Sequence, residues 1–301
     1  ITVPIYETDS ASQIAHILAD ADVRIVITAT TQQAELVESV RTEGVRHILS
    51  LDRGAERVLT GAAQGVSVEQ VRERTDAVKL SDEATVIYTS GTTGMPKGVV
   101  LTHGNFISPM LQAYDFLPLL INDPKSRSLL FLPVAHVLAR FVMYCLLAGQ
   151  GVTAFSPDTR NLVNDILGPN LHTIISGGAP LALDLANFYR GLGITLLQGY
   201  GLSETTGPIS VETPQDFPPD SVGFPWPGNR MKIAPDGELL VQGISVSKGY
   251  HNLPEATAEA YVDGWFKTGD LASIDDRGHL RITGRKKELI VTAGGKNVSP
   301  E

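Results

Sequence analysis

Residues 88–105 read YTSGTTGMPKGVVLTHGN. Glycines at 91, 94 and 98 let a backbone approach a ligand closely, while Thr89, Ser90, Thr92 and Thr93 supply hydroxyls and Lys97 supplies one cation. That is the composition of a cradle for a triphosphate. The spacing is not that of the P-loop NTPases, GxxxxGK[ST], because Lys97 is followed by Gly98 and no helix start follows. A hydroxyl-rich hairpin that binds nothing is the other reading of the same loop.

Two further stretches carry groups suited to a nucleotide. In QGYGLSETTG (198–207), Gly199 and Gly201 flank Tyr200, so a flat base can stack or slide against backbone, and Glu204 is a hard oxygen donor of the kind Mg²⁺ takes. In FKTGDLA, Asp270 follows a glycine in a turn-rich segment, and a carboxylate that accepts two hydrogen bonds matches the vicinal hydroxyls of a ribose. A surface carboxylate and a turn-stabilising aspartate are the alternatives for Glu204 and Asp270. Trp265 and Phe266 read as packing residues. His103, His172 and His279 show no metal-ligand spacing, and Cys145, the single cysteine, sits in the apolar run FVMYCLLAG and reads as core.

The elements that must position these groups alternate. ITVPIY, a polar start with Ile14, Ile17 and Leu18 at helical spacing, and VRIVIT predict strand, helix, strand. QQAELVESVRTEG (helix), VRHILSL (strand) and VSVEQVRERT (helix) continue the pattern, so residues 1–80 predict part of a parallel, helix-covered sheet. ATVIYTS and GVVLTH predict two strands joined by the Gly/Thr loop. Residues 81–210 then predict a second α/β subdomain: a helix near Phe106 to Leu117, the strand SLLFLP, a helix from Val137, the strand VTAF, and LHTIIS and ITLLQGYG around the helix LALDLANFYRGLG. From Val211 to residue 282, short runs such as MKIA, GELLVQG and HLRIT alternate with turn signals and predict an antiparallel, barrel-like β subdomain.

The chain has 301 residues, 43% of them hydrophobic, and a formal net charge of −9. A sizeable core is therefore expected, and general nucleic-acid binding is not, since that needs a basic face. A local basic patch gathers Arg281, Arg285, Lys286, Lys287 and Lys296 against Glu288 and Glu301, enough for a small anion. No apolar stretch approaches the roughly 18 residues of a membrane-spanning helix, and the start ITVPIYETDS does not read as a signal peptide. With a single cysteine these features predict a cytoplasmic protein.

YTSGTTGMPKG resembles the phosphate-binding signature shared by acyl-CoA synthetases, luciferases and peptide-synthetase adenylation domains. Four further stretches follow in that superfamily's order: LPVAH (132–136), ISGGAPL (175–181), QGYGLSETTG (198–207), and residues 249–301 from GYHNLPEAT to GRKKELIVTAGGKNVSPE. The resemblance is nearest to bacterial long-chain fatty acyl-CoA synthetases. It implies an acid–thiol ligase that joins a fatty acid to ATP as acyl-AMP and passes the acyl group to coenzyme A. A fatty acyl-AMP ligase loading a carrier protein, or a non-catalytic nucleotide-binding module, is the alternative.

By resemblance, Lys97 with Ser90, Gly91, Thr92, Thr93 and Gly94 holds the phosphates, Thr89 and Glu204 hold Mg²⁺, and Ser203 keeps a hydroxyl where the family usually has threonine. Gly177, Gly178, Ala179, Gly199, Tyr200 and Gly201 lie on the adenine side. Asp270 meets the ribose, Arg285 approaches the same sugar or the phosphates, His136 lines or gates the acyl site or else has a structural role, and Lys287, in the 283–301 connector, is the hinge of a lid that would follow Glu301. The family's first segment would precede Ile1, and between Asn161 and Leu171 this chain is much shorter than the family pattern. Peripheral membrane contact and a homodimer are compatible with the resemblance.

Overall fold

Sequences of the form Ser/Thr-x-x-Gln start three helices of the chain. Ser10, Thr30 and Ser67 each accept from the backbone N–H three residues on, and the Gln found there returns a bond to the cap. The helices are α1 (Ala11–Asp20), α2 (Thr31–Ser39) and, after α3 (Ala55–Ala62), α4 (Val68–Asp76). The computed structural model describes residues 1–89, 95–121, 123–130, 133–155, 171–286, 290–291 and 297–298. Two compact units make up the chain, Ile1–His103 with Tyr250–Pro254, and Gly104–Gly249 with Glu255–Glu301.

In the first unit, β1 (Ile25–Thr28) and β2 (His47–Ser50) pair in parallel across α2. β3 (Glu83–Thr89) and β4 (Lys97–Thr102) form the antiparallel hairpin expected around the Gly/Thr loop. α1 joins these parts by presenting two stripes. Ile14 and Leu18 pack with Val26, Val37 and Val45, while Ile17, one step round the helix, packs with Val86, Tyr88 and Val100 of the hairpin. ITVPIY does not become the first strand of a βαβ unit. Only Thr2 bridges, to Thr85, and Pro4 removes a ladder donor in the middle of the run.

The second unit opens with α5 (His103–Phe116, whose first residue belongs to the first unit), α6 (Pro118–Ile121), and the parallel pair β5 (Arg127–Leu130) and β6 (Val152–Phe155) around α7 (Val137–Ala148). β7 (Thr173–Gly177) and β8 (Thr195–Leu202) pair in parallel across α8 (Leu183–Gly191), and β9 (Gly207–Val211) and β10 (Phe224–Pro225) extend that sheet antiparallel. A five-stranded antiparallel sheet follows: β11 (Asn229–Ile233), β12 (Glu238–Gly243), β13 (Tyr261–Val262), β14 (Trp265–Ile274) and β15 (Leu280–Arg285). Register shifts at Glu238/Leu240 and Leu271/Ala272 curl it into a half-barrel around Leu239, Val241, Phe266 and Leu280. Parallel sheets with helices and one curled antiparallel sheet are the mixed α/β fold expected. Phe266 is core, and Cys145 is 3% exposed with its thiol pushed up to about 12 by burial, an inert position.

Glu212, just after β9, is fully buried; its carboxylate accepts from the Gln198 N–H at 2.7 Å and from Arg190 at 3.4 Å, and burial pushes it up to about 7. A carboxyl raised in the fold gives stability that is present below its unfolded value near 4.5 and is lost as pH rises through about 7. Unfolding in urea at pH 5 and pH 8 is expected to show a loss of up to about 3 kcal/mol from this group. Glu212→Gln removes that component; an unchanged pH dependence in the variant would contradict the assignment.

Candidate functional site

The hairpin places two of the expected phosphate residues directly opposite one another. Thr89 ends β3 and Lys97 begins β4; they are register partners, with the Thr89 hydroxyl 3.5 Å from the Lys97 carbonyl. The runs ATVIYT and GVVLT are apolar at successive positions and buried on both faces, with Val86, Ile87 and Tyr88 of β3 and Val99, Val100 and Leu101 of β4 all in the core. Ser90, Gly91, Thr92, Thr93 and Gly94 lie outside the described residues, between these two ends. The Lys97 side chain is exposed, with its ammonium 5.1 Å from the centre of the Tyr250 ring.

The second unit gathers another group. Tyr200, on β8, donates its hydroxyl to Asp270 Oδ2 at 2.5 Å, and Asp270 Oδ1 lies 3.1 Å from Arg285 Nε. Asp270 and Arg285 are cross-strand partners on β14 and β15. Tyr200 is held un-ionised, well above the ordinary phenol range, by burial and then by the Asp270 charge. The residues read separately as adenine-side and ribose-side thus form one cluster. The Asp270 side chain is 4% exposed and already has two partners, while Arg285 is 54% exposed. A sugar bound here would share or exchange those partners, with Arg285 at the open side.

Glu238, which sequence reasoning missed, holds this cluster. Gly269 N–H donates to Glu238 Oε1 at 2.9 Å, and Lys286 Nζ lies 2.8 Å from Glu238 Oε2 and 2.6 Å from Asp236 Oδ2. Glu238 therefore ties the turn before Asp270 to the connector after Arg285. The signal in the sequence was faint: a charged residue in the otherwise apolar strand GELLVQG. Lys287 lies outside the described residues.

In LSETTG the hydroxyls divide their work. Thr205, fully buried, accepts from the Leu202 N–H at 2.8 Å, and Thr206 donates to the Ser245 carbonyl at 2.6 Å from a left-handed conformation, φ 58°. A β-branched residue there is strained, and its buried hydroxyl bond offsets the cost. Ser203 and Glu204 are left half-buried on the one-turn helix Ser203–Thr205. Gly177 and Gly199 are register partners on β7 and β8, where a Cβ on Gly177 would come within 2.9 Å of the Gly199 carbonyl. Gly201 sits at the bulge between β8 and β9, where a Cβ would lie 1.8 Å from the Gly207 carbonyl, so strand packing alone requires it. Gly178 adopts φ +87°, and Ala179 follows it, exposed.

His136 is the N-cap of α7: its Nδ1 accepts from the Leu138 N–H at 3.2 Å, and burial lowers its pKa. An unprotonated nitrogen is what that bond needs, so the cap and the shift agree. Glu204 and the Thr89 hydroxyl are each hard oxygen donors of the kind Mg²⁺ takes. Among the described residues no group of three or more His, Cys, Asp or Glu could hold a metal ion by itself.

The model of the AMP-binding enzyme family matches residues 1–168 and 159–251. The two matches meet in the stretch read as shortened in the sequence. Long-chain-fatty-acid–CoA ligase FadD15 of Mycobacterium tuberculosis is 35% identical over 381 residues, an alignment covering 100% of this chain and 63% of FadD15. The chain thus spans less than two thirds of that relative's length. Among solved structures, a Mycobacterium tuberculosis fatty acyl CoA synthetase superposes with a TM-score of 0.81 at 27% identity, covering 100% of this chain and 66% of that one. ATP-bound MatB from Rhodopseudomonas palustris gives a TM-score of 0.80 at 29% identity, covering 99% and 66%.

Proposed function

This chain belongs to the AMP-binding enzyme family, and from that premise we propose that the whole protein activates a long-chain fatty acid as its acyl-AMP and transfers the acyl group to coenzyme A. The observation that carries the nucleotide half is the pairing of Thr89 with Lys97 at the two ends of a hydroxyl-rich glycine loop. The likeness to FadD15 supports the choice of acid and acceptor.

The fatty carboxylate is ionised near pH 7 and needs no base. One of its oxygens attacks the α-phosphorus of ATP in line, the bond to the bridging oxygen breaks, and pyrophosphate leaves. Lys97 and the hydroxyls and amides of 90–94 stabilise negative charge as it develops on the phosphates. Gly177, Gly178, Ala179, Gly199, Tyr200 and Gly201 border the base, Ser203 faces the α-phosphate, Asp270 and Arg285 receive the ribose, and His136 borders the acyl group. Glu204 and Thr89 would hold Mg²⁺, which supplies neutralising charge to the phosphates when bound. The coenzyme A thiolate then attacks the acyl carbonyl and AMP leaves. The work is placement and charge compensation, so no protein nucleophile is called for. No helix among the described residues is long and apolar enough to cross a membrane. We place the protein in the cytoplasm; a homodimer and peripheral contact with a membrane fit the same reading.

Supplying the full-length protein with ATP, coenzyme A and saturated acids of graded chain length is expected to give acyl-CoA with a preference for long chains. Pyrophosphate release without acyl-CoA, or loading of a carrier protein instead, would overturn the choice of acceptor.

A further inference from the structure

The five residues Tyr250–Pro254 belong to the first unit although their neighbours on both sides belong to the second. They come from the GYHNLPEAT stretch, which the sequence groups with the ribose side, yet their contacts are with the phosphate hairpin. Tyr250 bridges Val99 antiparallel, and the His251 N–H donates to the Gly98 carbonyl at 2.7 Å, so the segment adds a short third strand to the free edge of β4. The same segment reaches the end of α1. His251 Nε2 lies 3.1 Å and Asn252 Nδ2 3.2 Å from the Asp20 carbonyl, one of the acceptors a helix leaves unpaired at its C-terminus. Asn252 also donates to Asp20 Oδ1 at 3.2 Å, while Asp20 Oδ2 accepts from Tyr88 at 2.5 Å. His16, a turn earlier on α1, lies 3.0 Å from the Pro96 carbonyl and meets the Tyr88 ring edge-on at 5.9 Å. Both strands of the hairpin are thereby fixed to α1 immediately beside Lys97.

In that frame the Lys97 ammonium sits 5.1 Å from the centre of the Tyr250 ring. A carboxylate could hold a lysine equally well but would cancel its charge. An aromatic face holds it through the ring quadrupole and leaves the full positive charge available to an anion. Among the described residues no carboxylate pairs with Lys97.

We propose that Tyr250 is a positioning residue for the phosphate cradle: carried onto the hairpin by His251 and Asn252, its ring seats the Lys97 ammonium before the nucleotide arrives without neutralising it. This rests on the reading of Lys97 as a phosphate-binding residue.

The test is fatty-acid-dependent ATP–pyrophosphate exchange by the full-length protein, with residue 250 varied in Lys97 and Lys97→Met backgrounds. Tyr250→Phe keeps the ring and is expected to stay near wild type. Tyr250→Leu is expected to lower kcat/KM for ATP by about three- to tenfold, the scale of a cation–π contact, while leaving KM for the fatty acid unchanged. In the Lys97→Met background the same substitution is expected to be silent. Equal loss in both backgrounds, or an equal rise in both KM values, would reduce Tyr250 to a structural role and overturn the proposal. If Tyr250→Leu does not fold, pentafluorophenylalanine at position 250 keeps the shape and removes the negative ring face. It should reproduce the loss for ATP, and wild-type exchange from it would likewise overturn the proposal. Full exchange by Lys97→Met is a different failure, removing the lysine from the cradle and the proposal with it.

Discussion

Fatty-acid-dependent ATP–pyrophosphate exchange by full-length Glu204→Gln protein is expected to fall by about two to three orders of magnitude, the several kcal/mol that a metal ion contributes to charge stabilisation in such a transfer. The change is isosteric and removes only the charge. The fold around it should survive, because the backbone of LSETTG is held by Thr205 and Thr206, whose hydroxyls bond to the chain independently of Glu204. Melting temperature is therefore expected to stay near wild type while the Mg²⁺ requirement for exchange rises. Wild-type exchange at limiting Mg²⁺ would remove Glu204 from the metal site.

Lys287→Pro should separate the two half-reactions. β15 ends at Arg285, paired with Asp270 of β14, and Lys286 is fastened to Asp236 and Glu238, so the five-stranded sheet holds the connector up to the residue before 287. Large torsional changes are absorbed by a few residues just outside such an anchor, and proline fixes φ near −65°. In the full-length protein, ATP–pyrophosphate exchange should stay within about twofold, while acyl transfer to coenzyme A should fall by about two orders of magnitude, the scale of a misplaced reacting group. Lys287→Ala is expected to be nearly silent in both. Equal losses from the proline variant in both half-reactions would indicate misfolding or direct participation, and no loss in either would move the pivot elsewhere.

The local devices of this fold could be read from the sequence because they are short-range. Ser10, Thr30 and Ser67 with their partner glutamines mark helix starts, and Ile14, Ile17 and Leu18 mark the buried stripes of α1. The strand, loop, strand character of 83–102 followed from β-branched runs on either side of a glycine loop. That Thr89 lies opposite Lys97 followed only from the register of the hairpin. α3, with only Ala55 buried, offered no apolar stripe to read. Tyr200 and Asp270 are 70 residues apart, and their hydrogen bond depends on how two sheets pack, which periodicity cannot report. Tyr250 is harder still. Its string GYHN looks continuous with the β-rich stretch that precedes it, and only the ladder bond from His251 to Gly98 reveals that it pairs with the hairpin. His136 shows the reverse difficulty: a histidine beside an acyl-site motif invites a chemical role, and its Nδ1 caps a helix.

The central claim is that this chain carries the nucleotide-binding body of a ligase that activates fatty acids, with Lys97 at its phosphate cradle. ATP–pyrophosphate exchange by the full-length protein, measured with and without a long-chain fatty acid, tests it most directly. The account predicts exchange that depends on the fatty acid, needs Mg²⁺, and is largely lost in Lys97→Met. Exchange that ignores the fatty acid, or none at all from folded protein that binds ATP, would contradict it.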